Sequence, residues 1–118
     1  MADDELDWYS VRCVFRALAN KPWRPKDLEG NESAYEERIT LWRAASADDA
    51  IRLAEVEART YESQIEVEYL GLAQSYRIAD PVEHGGEVFS MIRRSDLAPS
   101  DYLDRFFATG TEYLRSPD

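Results

Sequence analysis

Between Trp8 and Arg16 the side chains alternate in character. Tyr9, Val11, Cys13 and Phe15 fall between Trp8, Ser10, Arg12 and Arg16. A period of two is that of a strand with one buried face, and the first set is the predicted core face. The same period returns from Tyr35 to Ala44, where Ile39 and Leu41 oppose Arg38, Thr40 and Trp42. Reading the aliphatic pair as inward puts Trp42 on the outer face, beside Trp8. Residues 18–33, between these strands, hold Pro22, Pro25, Gly30 and mixed charges, the composition of a long connecting loop.

After Ala44 the period lengthens. Ala47, Ala50, Ile51, Ala54, Ala58, Tyr61 and Ile65 recur at helical spacing, while Asp48, Arg52, Glu55, Arg59 and Glu62 lie elsewhere around the axis. Ser46 supplies a capping oxygen, and Asp48 and Asp49 place negative charge at the helix N-terminus. Asp48 with Arg52, and Glu55 with Arg59, are spaced to pair along the helix, worth about 0.3 to 0.5 kcal/mol each when exposed. The alanine stripe carries more weight, because small side chains let a helix axis lie close against a sheet.

Residues 67–79 return to a strand pattern, with Leu70, Leu72, Tyr76 and Ile78 on one face, interrupted there by Gln74. Gly71 weakens this strand or marks a bulge. Asp80 and Pro81 begin a turn, Gly85 and Gly86 supply positive-φ capacity, and Glu87 to Arg94 reads as a fourth strand closing a hairpin. In Leu97 to Gly110, Pro99 suits a first helical turn. Tyr102, Leu103, Phe106 and Phe107 form an apolar side, and Gly110 suits the position past the end. The predicted order is β-β-α-β-β-α. That is an α+β fold with a small four-stranded, mainly antiparallel sheet, one long helix packed on a face and a short C-terminal helix. A single domain is expected over residues 1–118, with an acidic tail at 1–7 and a loose tail at 111–118.

Composition agrees with a packed core: 44% of the chain is hydrophobic and 12% aromatic, above what disordered segments carry. The start, Met1 to Ser10, has no basic region followed by an apolar stretch, and no run approaches the roughly 18 residues needed to cross a bilayer. A cytoplasmic protein without a membrane partner is the expectation. Cys13 is the only cysteine, which excludes an intramolecular disulfide and a zinc site built on paired thiolates. Asp and Glu total 24 against 14 Lys and Arg, a net charge of −10. A field of that sign repels nucleic acid and favours cationic partners, though acidity also serves plain solubility.

Trp8-Tyr9, Tyr35-Glu36-Glu37-Arg38, the helix start from Ala44 to Ala50, and Glu87-Val88-Phe89-Ser90 occur in the order and spacing of a known family. From Trp8 to about Arg94 the chain resembles a small bacterial family catalogued as domain of unknown function 4288. The resemblance implies an α+β domain and carries over no activity or catalytic residue. The helix after Asp96 lies outside it.

Candidate chemistry is sparse. His84, the only histidine, sits in the turn Glu83 to Gly86, and Cys13 is expected to point into the core, so a dyad would need those positions to converge. Asp3, Asp4, Glu5 and Asp7 lack the glycine turn and ligand spacing of a calcium loop. Gly85-Gly86 precedes a strand rather than a helix, so no phosphate-binding helix terminus follows it. No catalytic residue, metal or cofactor is therefore assigned. Glu66 with Glu68 and Glu36 with Glu37 read as solvated edge carboxylates.

Trp8, Arg12, Arg38 and Trp42 have the residue types of interface hot spots, with Tyr69 and Arg77 available from the third strand. The partner-binding set is Trp8, Arg12, Arg38, Trp42 and Tyr69, on the sheet face away from the long helix. The reading is a non-enzymatic acidic domain that holds a basic protein, of the kind an immunity protein forms with a nuclease or deaminase toxin. The alternatives are a small-ligand or enzymatic domain using Glu87, His84 or arginines, and a homodimer formed through strand edges or the tryptophan face.

Overall fold

A computed structural model describes residues 5–18, Leu28, residues 32–110, Glu112 and Leu114. Residues 1–4 of the expected tail at 1–7, most of the loop at 18–33 and most of the tail at 111–118 lie outside the described residues, and Asp7 belongs to the first strand rather than to the tail. Strands β1 (Asp7–Ala17), β2 (Tyr35–Ala44) and β3 (Val67–Arg77) form one antiparallel sheet in the order β2-β1-β3. Helix α1 (Ala47–Ile65) connects β2 to β3 and covers one face.

The alternation in β1 sorts its residues as expected. Tyr9, Val11, Cys13 and Phe15 are buried beneath Ala50, Ala54 and Ala58 of α1, and Phe15 and Val11 are fully enclosed. These alanines repeat every fourth residue, so one narrow stripe meets the sheet without a bulky side chain holding the helix away. Phe15 meets the rings of Tyr61 and Tyr69 at 5.1 and 5.4 Å, one edge-on and the other tilted. Ser46 caps α1 by accepting from the Asp49 amide at 3.1 Å, and Glu66 ends the helix in the left-handed region at φ 55°. Along the exposed side the ion pairs run Asp49 to Arg52 and Arg59 to Glu62, three residues apart rather than the expected four.

Three expectations about the sheet are corrected. The sheet has three strands, not four: Glu87 to Arg94 is irregular and pairs with no strand. Its side chains cross over the sheet instead of running along the edge. Phe89 sits 5.9 Å from the Tyr76 ring and under the Arg12 guanidinium at 5.1 Å, and Met91 sulfur accepts from Arg12 at 3.5 Å. The turn before it is as tight as the glycines promised, since a Cβ on Gly86 would come within 2.7 Å of the Pro81 carbonyl oxygen.

The second correction concerns β2, whose facing is inverted. Cys13 lies opposite Arg38 and Val11 opposite Thr40, so Glu36, Arg38, Thr40 and Trp42 share the helix side, while Ile39 and Leu41 point away from it. The inward polar groups find partners at the helix margin, where Arg38 pairs with Glu57 and Tyr61 donates to Glu36 at 2.7 Å. In β3 Val67 and Tyr69 are buried on the helix side, so Tyr69 does not lie on the expected face away from the helix. Three residues, Leu70 to Leu72, stand opposite Val14 alone, and Gly71 at φ 77° makes this bulge. Helix α2 (Pro99–Tyr102) continues into a π-helical turn at Leu103–Phe107, and none of these residues is buried.

Candidate functional site

The sheet face away from α1 is the surface with the richest recognition chemistry. Reading across the register, Leu41, Ser10 and Tyr76 form one row, and Ile39, Arg12 and Gln74 the next. Arg43 and Trp8 close one end, with the Arg43 guanidinium 5.8 Å from the Trp8 ring centre. Ile39 and Leu41 remain 45% and 42% exposed although both lie mid-strand.

Arg12 organises the centre. Its guanidinium donates to Gln74 Oε1, lies 3.3 Å from Glu37 and stacks on Phe89. A planar group with five donors can hold a carboxylate, an amide and an aromatic ring together, which a lysine could not. Phe89, Met91 and the Tyr76 hydroxyl bound to Glu87 complete the rim. At the far end Arg16 pairs with Glu68 at 2.6 Å. The three arginines, Arg12, Arg16 and Arg43, therefore face three carboxylates, Glu37, Glu68 and Glu87, a balanced set on a chain whose net charge is −10.

Of the five predicted partner-binding residues, the fold brings Trp8 and Arg12 together here and sends the others to the helix side. Arg38 is held by Glu57 and lies over the Tyr61 ring at 4.0 Å. Trp42 donates to Thr40 at 2.6 Å, and Tyr69 is buried with its hydroxyl donating to Glu55 at 2.6 Å. Sequence reasoning missed Ile39, Leu41, Phe89 and Met91, because the first two had been assigned to the core and the others to a paired strand.

The seam between α1 and the sheet is polar but closed. Burial, then donation to Glu36, pushes the Tyr61 phenol up to about 12. Tyr69 is raised further by burial and its bond to Glu55, and burial raises Cys13 as well. A thiol held protonated beneath a helix is a packing element, not an activated nucleophile. His84 is exposed in the turn beyond β3. A shallow depression of about 360 Å³ lies over Arg52, Glu55, Val56 and Arg59, all on one side of α1. Among the described residues there is no cluster of metal-ligating side chains. None of their helices is long and apolar enough to cross a membrane.

A family model described as a domain of unknown function, DUF4288, matches residues 8–90, more than two thirds of the chain. The chain belongs to the DUF4288 family. The matched span contains β2, β3, α1, all of β1 but Asp7, the turn at Gly85-Gly86 and Phe89, so the sheet with its covering helix is the DUF4288 unit. Met91 and the C-terminal helix lie beyond it. Neither a curated protein nor a solved structure matched the chain.

Proposed function

We propose that this DUF4288 domain is a non-enzymatic, cytoplasmic recognition module that binds a basic protein through the open face of its sheet. The observation that carries this reading is the half-exposure of Ile39 and Leu41 beside Arg12, Trp8 and Phe89. Arginine and tryptophan are types from which interface hot spots are drawn, and exposed aliphatic side chains beside them add apolar area to bury. Exposed apolar groups gathered on one face favour a partner over bare solvent.

Charge divides the work of recognition. The net −10 draws a cationic protein at long range and accelerates encounter. At contact the face is nearly balanced, so apolar burial supplies affinity without stranding a large excess of one sign. An immunity-type role, blocking the nucleic-acid groove of a basic nuclease or deaminase toxin, is the finer form of the proposal.

The test is calorimetric titration of the purified protein with a panel of basic nuclease and deaminase toxins, alongside protection of cells expressing each toxin. A complex that weakens about tenfold or more in the Trp8→Ala and Met91→Ser variants supports the open face as the contact. No complex at low salt with any toxin, and no protection, removes the toxin partner. A complex indifferent to both substitutions removes the face.

A further inference from the structure

The two edges of the sheet differ in a way that points to a second copy of this chain. We infer that β2 pairs antiparallel with β2 of another copy across a two-fold axis at Thr40, making a continuous six-stranded sheet. This goes beyond the partner reading and stands without it, because the backbone edge of β2 makes the contact, although Ile39 and Leu41 belong to both surfaces.

The phase of the ladder shows what the edge offers. The Ala17 amide donates to the Ala34 carbonyl at 2.9 Å, one step beyond the β1–β2 register, so Ala17 and Ala34 form a hydrogen-bonded pair. Bonded pairs recur every second residue. Glu36, Arg38, Thr40, Trp42 and Ala44 therefore bond inward to β1, and the backbone groups of Tyr35, Glu37, Ile39, Leu41 and Arg43 point outward. The other end of β1 agrees: the Ile78 amide donates to Trp8, so even residues of β1 bond toward β3 and odd ones toward β2.

On that outer side no strand is paired among the described residues, and β2 runs its full ten residues against β1 without a bulge. The opposite edge, β3, is broken by the bulge at Gly71, a device that discourages edge pairing. Among the described residues the regular edge is thus the one open to extension.

Register follows from charge and size. With the axis at Thr40, Glu37 faces Arg43 of the second copy and Ile39 faces Leu41, on the open side of the sheet. Each of these pairs exchanges both backbone bonds. On the helix side Arg38 lies opposite Trp42, and Thr40 faces itself. Shifting by one step in either direction puts Glu37 opposite Leu41, or Arg43 opposite Ile39, and loses the opposite-charge pair. Within β2 Glu36 and Glu37 balance Arg38 and Arg43, so the repulsion between two acidic copies is not concentrated at the contact. The joined sheet sets both open faces on the same side.

Light scattering and sedimentation across a concentration series test this on the full chain. The expected result is a reversible dimer. Glu37→Arg places like charges opposite one another twice, as does Arg43→Glu, and each is expected to weaken the dimer about tenfold or more. The double exchange, E37R with R43E, restores it. A Thr40→Cys chain treated with diamide is expected to form a covalent dimer through the axis, since Cβ atoms of directly opposed residues lie about 5 Å apart and Cys13 is buried. A monomer at every concentration, a dimer indifferent to either reversal, a double exchange that fails to restore it, or no cross-link at Thr40 overturns the inference.

Discussion

The two faces of this sheet are built from the same three strands, yet only one is closed. Under α1, aromatic and small side chains interlock until Phe15 and Val11 lose all contact with solvent. On the other face a single irregular segment lays Phe89 and Met91 across Arg12, and Ile39 and Leu41 stay about half exposed. Stability should therefore reside on the first face and recognition on the second, and substitutions can separate the two.

The largest expected effect is Phe15→Ala, which opens a cavity between Tyr61 and Tyr69 and should cost about 3 to 5 kcal/mol in urea unfolding. A loss below 1 kcal/mol would mean that the helix-covered face is not the stabilising one. Ala54→Leu tests the stripe from the opposite direction: a larger side chain at a fully buried contact pushes α1 off the sheet, at about 1 to 3 kcal/mol. Glu57→Gln removes the partner of Arg38 at the helix margin. Both side chains keep some exposure, so about 1 kcal/mol is expected rather than the full cost of a buried charge.

The polar seam also gives this face a pH signature. Folding favours the neutral phenol of Tyr61, whose pKa rises from an ordinary 10 to about 12. A raised folded-state value contributes stability that is complete below pH 10 and disappears as pH climbs from 10 through 12. Urea midpoints across that range should fall less steeply for Tyr61→Phe than for the natural chain. Equal slopes would show that the phenol does not sense the seam.

The smallest effects belong to the open face. Ser10 is buried there, and its hydroxyl has no partner among the described residues. Ser10→Ala should leave stability unchanged or raise it by up to about 1 kcal/mol, since it removes a desolvated polar group. Calorimetric melting would resolve the sign, and a clear loss would reveal a bond from that hydroxyl.

Much of the local architecture could be read from the residues. The β2 and α1 boundaries, the Ser46 cap, the alanine stripe and the role of Gly71 all follow from short-range rules of period, capping and backbone freedom. Family membership was legible for the same reason, through motifs lying within those elements. The candidate site was legible only in part. Trp8 and Arg12 share the alternation of β1 and were placed together correctly, whereas Arg38, Trp42 and Tyr69 depend on which side of a neighbouring strand faces the helix.

What the sequence determined by itself is the three strands of the sheet, the long helix and the core face of β1, because repetition along one segment is enough to specify each. The tertiary structure alone decided the facing of β2 and the fate of residues 87–94. A strand's period says which residues share a face but not which face meets the helix. That choice was made by Glu57 reaching Arg38, Tyr61 reaching Glu36, and Phe89 finding Arg12, contacts between residues 19 to 77 positions apart.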